Sequence, residues 1–81
     1  MISKSSSNQF IDLRGTPCPI NFIRCRLAME DLASDEYLEV YLDTGEPQQM
    51  VTNGLQNEGH HVEIVQNNSN WVKLMVVCGV T

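Results

Sequence analysis

The sequence predicts an α/β fold: a two-layer α/β sandwich of order β-α-β-α-β-β, with a four-stranded mixed sheet and both helices on one face. Three observations lead there. "YLEVYL" and "WVKLMVVC" alternate apolar and polar positions with the period of a half-buried strand. Two helical patterns, opening at Pro19 and at Pro47, lie between strand-like runs. Right-handed crossovers then bring both helices to the same side of the sheet.

Taken in order, Met1 to Asn8 is a Ser-rich stretch, read as a mobile polar tail, and residues 9–81 as a single domain. "FIDL" is a short strand. Gly15 permits a turn, Pro17 keeps the chain extended, and Pro19 suits the first helical position, which makes Cys18 the N-cap. Phe22, Cys25, Met29 and Leu32 follow at spacings of three and four, one buried stripe. In "YLEVYL", Leu38, Val40 and Leu42 share the buried face.

The second helix starts at "GEPQQ", with Pro47 first and Gln49 supporting the terminus. It turns Met50, Val51 and Leu55 inward and stops near Gly59. Gly54 in its middle costs about 1 kcal/mol relative to alanine. "HVEIVQ" and "WVKLMVVC" are two strands joined by the turn-forming "NNSN".

Eighty-one residues bury about 60–65% of their unfolded surface, enough for one modest core. A net charge of −5 argues against direct nucleic-acid binding, because such surfaces are basic. No apolar run approaches the ~20 residues that span a bilayer, so no membrane contact is expected. The polar start "MISKSSSNQ" lacks the apolar core of a secretory signal, and a cytoplasmic, reducing setting is the expectation. Three cysteines, an odd number without C-x-x-C spacing, fit neither a disulfide framework nor a structural metal site. No cofactor is expected.

Cys18 is the candidate reactive residue, a buried cysteine that merely precedes a helix being the alternative. At a helix N-terminus, unpaired backbone N–H groups and the aligned peptide dipoles favour thiolate over thiol. Arg14 reinforces this if the Gly15 turn folds it back. Asp12 is a supporting group of the turn or a cap for a backbone N–H in "DLRG". Cys25 is read as core. Cys78, on the face of Val72, Leu74 and Val76, is read as packing, with a second reactive or resolving thiol as the alternative. His60 and His61 form a polar turn without metal-ligand partners in sequence. Arg14, Arg24 and Arg26 make a solvated face, or else a docking rim for an acidic partner. Phe10, Tyr37, Tyr41, Trp71 and Met75 share the sheet face opposite the helices, a candidate surface for a partner or a weak homodimer.

The stretch "IDLRGTPCPIN" resembles the TusA/SirA-type sulfur carriers, whose signature is Asp-x-x-Gly-x-x-Cys-Pro-x-Pro at the first helix. Asp12, Gly15, Cys18 and Pro19 match in register. "GEPQQM" and "NEGHHVEIV" are similar to the family's second helix and Gly-His turn, with Glu46-Pro47 where Asp-Pro is usual. The likeness covers residues 10 to 77. It implies a sulfurtransferase-type carrier whose Cys18 takes persulfide sulfur from a cysteine desulfurase or another donor protein. Cys18 then passes the sulfur to an acceptor protein, in tRNA thiolation or related trafficking. The second motif proline is Asn21 here, which restores a backbone N–H at the third helical position and is expected to support the Cys18 thiolate. Two rivals stand beside this reading: a regulatory adaptor of the same fold, and a thiol redox protein cycling Cys18 with Cys78.

Overall fold

The computed structural model describes residues 9–32 and 36–79; the polar tail expected at Met1 to Asn8 lies outside them. The elements are β1 (Gln9–Asp12), α1 (Ile20–Glu30), β2 (Tyr37–Asp43), α2 (Glu46–Asn57), β3 (His61–Asn67) and β4 (Trp71–Val77). The sheet order is β1-β2-β4-β3, with β1 parallel to β2 and the other pairs antiparallel. This is the mixed four-stranded sheet that the element order predicts.

Alternation decides which face is covered. Leu38, Val40 and Leu42 of β2 pair with Val76, Leu74 and Val72 of β4, and all six are buried. Cys25 and Met29 of α1, Val51 and Leu55 of α2, and Leu13 after β1 join them in one core. Phe22 and Leu32 are partly buried against it. Met50 departs from expectation and is 45% exposed. Val51 and Leu55, one turn apart, take the inward line of α2, and Met50 lies about 100° away from Val51 around the helix.

Two helix starts differ from the sequence reading by one residue. Pro19, not Cys18, is the N-cap of α1, and its carbonyl accepts the Ile23 N–H at 3.1 Å. Glu46, not Pro47, opens α2, whose cap Gly45 has no side chain to contribute. Gln49 acts there through its backbone N–H, which meets the Gly45 carbonyl at 3.1 Å. The stop at Gly59 is as expected. Its φ of +94° lets the His60 N–H reach the Leu55 carbonyl at 3.1 Å and close the helix.

Gly54 has a role that its low helix propensity conceals. A Cβ built there would meet the Phe22 ring at 2.5 Å from Cε1, so the glycine is the notch in which α2 receives α1. Gly54→Ala gains about 1 kcal/mol of propensity but overpacks the contact at a cost of about 1–3 kcal/mol. Urea denaturation is expected to show a net destabilisation that reverses to a gain in a Phe22→Ala background. A gain in the wild-type background would show that the ring simply moves aside.

Candidate functional site

The site is built where β1 ends. The ladder with β2 continues one residue past β1, the Leu13 N–H meeting the Tyr41 carbonyl at 2.8 Å. The chain then turns, with the Thr16 N–H on the Leu13 carbonyl at 3.0 Å. Gly15 occupies the third position of this turn at φ +81°, the left-handed value that a type II turn requires there. Asp43, at the end of β2, accepts the Gly15 N–H at 2.8 Å and pins the turn to the sheet. Sequence reasoning missed this role of Asp43; an acidic residue closing the strand next to the Gly15 turn was the available signal.

Asp12 serves as a backbone cap, one of the two roles open to it. Its Oδ1 accepts the Arg14 N–H at 3.1 Å, and its carboxylate also takes the Arg14 guanidinium at 2.8 and 2.9 Å. These hydrogen bonds hold the Asp12 carboxyl below its ordinary range and raise Arg14. The Arg14 guanidinium lies 5.3 Å from the ring centroids of both Tyr41 and Trp71. The expected support of Arg14 for Cys18 is therefore not what forms: its charge is committed to Asp12 and to two rings of the open sheet face.

That open face holds the residues grouped by the sequence. By register, Phe10, Tyr37, Tyr41, Trp71 and Met75 share it, interleaved with Glu39, Asp43 and Lys73. Phe10, Tyr41 and Trp71 are in consecutive ring contact, with centroids 6.2 and 5.7 Å apart.

Cys18 is exposed, Cys25 is buried and Cys78 is half-buried. Burial pushes the Cys25 thiol up to about 12, the state of an inert core group. Around Cys18 the donors differ from expectation. The Asn21 N–H binds the Pro17 carbonyl at 3.1 Å, the Phe22 N–H binds Asn21 Oδ1 at 2.7 Å, and the Ile23 N–H binds Pro19. These three amides go to oxygen because carbonyls and the Asn21 side chain lie within reach of each. The sulfur instead receives the Asn21 carboxamide, whose Nδ2 donates to Cys18 Sγ at 3.3 Å. Asn21 is fully buried, Pro19 is the cap that sets its position, and no local pattern indicates that its side chain, not its backbone, faces the thiol.

α1 has a second apolar line to which the sequence reading assigned no role. Ile20, Ile23 and Leu27 are 49%, 48% and 57% exposed and run from beside Cys18 along the outer helix surface. Of the other basic residues, Arg26 pairs with Glu58 at 3.0 Å. His61 meets Glu63 at 2.9 Å, and His60 Nδ1 accepts the Gly79 N–H at 3.3 Å. Among the described residues, no three His, Cys, Asp or Glu side chains converge as metal ligands, and no helix is long and apolar enough to cross a membrane.

A cleft of about 340 Å³ is lined in part by Met29, Leu32, His60 and Cys78. It lies at the C-terminal end of α1, whose ten-residue rise from Ile20 spans about 15 Å. Cys18 and Cys78 are thus at opposite ends of the helix, beyond the ~7 Å between Cα atoms that a disulfide allows. The redox cycle between them does not fit this fold.

Residues 9–77 match the family "Sulfurtransferase TusA". A protein of Archaeoglobus fulgidus named "Putative sulfur carrier protein" is 35% identical over 60 residues, covering 74% of this chain and 68% of that protein. The crystal structure of the SirA-like protein from Desulfitobacterium hafniense superposes with a TM-score of 0.75. It is 23% identical, and the match covers 89% of this chain and 99% of that one, which establishes the shared fold. With the motif in register and the profile spanning the whole described sandwich, the chain belongs to the TusA family of TusA/SirA-type sulfur carriers.

Proposed function

We propose that Cys18 is the sulfur-bearing residue, relaying a persulfide between a donor and an acceptor protein. The observation that carries this is exposure combined with a donor: of the three cysteines only Cys18 is exposed, and a buried carboxamide donates to its sulfur. In loading, the Cys18 thiolate attacks the outer sulfur of a donor persulfide; the new S–S bond forms as the old one breaks, and the donor cysteine leaves as thiolate. In discharge, an acceptor thiolate attacks that same outer sulfur and Cys18 leaves. Each step exchanges one S–S bond for another and needs no oxidant.

A cysteine desulfurase is the donor class we favour, with tRNA thiolation as one destination and the cytoplasm as the setting. Asp12, Gly15 and Pro19 shape the turn that presents the thiol. The Ile20, Ile23 and Leu27 line flanks Cys18 and supplies the apolar contact for the donor. Incubation with a desulfurase and cysteine, followed by peptide mass spectrometry, is expected to find one added sulfur on Cys18. Added sulfur on Cys78 alone, or none on the protein, would overturn the reading. Ile23→Glu is expected to slow this loading at least tenfold while leaving alkylation of Cys18 by iodoacetamide unchanged. Equal loading would remove the donor from this helix face.

A further inference from the structure

We propose that the Asn21 side chain is a positioning residue that holds Cys18 Sγ as an anion and so makes it a good leaving group when its outer sulfur is taken. The inference rests on the reading of Cys18 as the carrier residue. It concerns a position where this chain departs from the family signature, since proline there has no hydrogen-bond donor at all.

The orientation of the carboxamide is fixed by its own partners. Oδ1 accepts the Phe22 N–H at 2.7 Å, which leaves the NH₂ group toward Sγ at 3.3 Å. An amide turned the other way would face an N–H with an NH₂ and a sulfur anion with an oxygen. Asn21 is also fully buried, so its donor faces the thiol from the protein side and no water competes for that place. A hydrogen bond to a charged partner is stronger than one to a neutral partner. The contact therefore favours Cys–S⁻ over Cys–SH.

The consequence for transfer is directional. Discharge breaks the bond between Sγ and the outer sulfur, and the electron pair stays on Sγ. A leaving thiol that is readily ionised leaves faster, whereas the same stabilisation makes it a weaker attacking group. Asn21 thus biases the carrier toward release.

Two readouts test this without any partner protein. The rate of alkylation by iodoacetamide against pH reports the thiolate directly. Cyanide removes the outer sulfur of a loaded persulfide as thiocyanate, leaving the Cys18 thiolate, so its rate reports the leaving group. Asn21→Leu keeps the branched four-atom side chain, slightly enlarged, and deletes the donor together with the acceptor for the Phe22 N–H. It is expected to move the alkylation midpoint up and to slow cyanolysis severalfold. Asn21→Asp keeps the acceptor for the Phe22 N–H and is the variant of choice should the leucine form not fold. It is expected to raise the midpoint further, because a carboxylate then faces the sulfur.

An unchanged midpoint in a folded Asn21→Leu or Asn21→Asp protein would overturn the proposal and leave Asn21 a cap for α1. The midpoint is measured on unloaded protein, so its failure is separable from a failure of Cys18 to take up sulfur.

Discussion

Cys18→Ser is expected to abolish sulfur uptake, leaving no more than background label after incubation with a desulfurase and cysteine. A hydroxyl does not ionise near neutral pH and forms no persulfide, so the loss is complete and not partial. Cys78→Ser and Cys25→Ala should load as the wild type does, because one side chain lies at the far end of α1 and the other is sealed in the core. Circular dichroism of Cys18→Ser should be unchanged, the residue being exposed. The same variant separates carrier from adaptor: an adaptor would keep its biological effect without the thiol, and full activity of Cys18→Ser would end the carrier reading.

The second large effect is on stability in alkali. Burial raises the Cys25 thiol from an ordinary value of 9.0 to about 12. Below pH 9 both the folded and unfolded chains hold the proton, and the contribution of this group is fully present. Between pH 9 and 12 the unfolded chain releases it while the folded chain keeps it, so stability falls as pH rises. At 1.36 kcal/mol for each pH unit, the loss between pH 9 and 11 is on the order of 3 kcal/mol. Thermal unfolding should therefore drop steeply over that range, and Cys25→Val, which has nothing to ionise, should flatten much of the slope. Parallel curves for the two proteins would show that Cys25 is not responsible.

Strand alternation carried most of the fold. Leu38, Val40, Leu42, Val72, Leu74 and Val76 announce their burial because side chains alternate across a sheet and nothing local competes. The helices were less legible. α1 is apolar on two lines: spacing picks out the buried one, Phe22, Cys25, Met29 and Leu32, but leaves Ile20, Ile23 and Leu27 unassigned, since their exposure depends on what lies across from them. Gly54 reads as a weak point until Phe22 is seen against it, a contact between helices that no local pattern encodes. The register shift between Ile64 and Gln66 in β3 is likewise invisible, since the run "HVEIVQ" alternates only in part.

At the site, the motif located the cysteine and its turn, because Gly15 and the prolines leave the backbone few choices. The source of the sulfur's hydrogen bond was not legible. It depends on which of several donors wins the nearby carbonyls, and that competition is settled by distances of a few tenths of an ångström.

The placement of the thiol has a bearing on how cargo survives the journey. Cys18 stands in the open, and the cleft lined by Cys78 is at the other end of the helix. On the proposed carrier reading, a sulfur atom riding on residue 18 would be unsheltered once the donor departs, open to every small thiol in solution. Safe passage would then come from brevity: the receiving protein would have to engage soon after release and supply the shielding walls that the courier lacks.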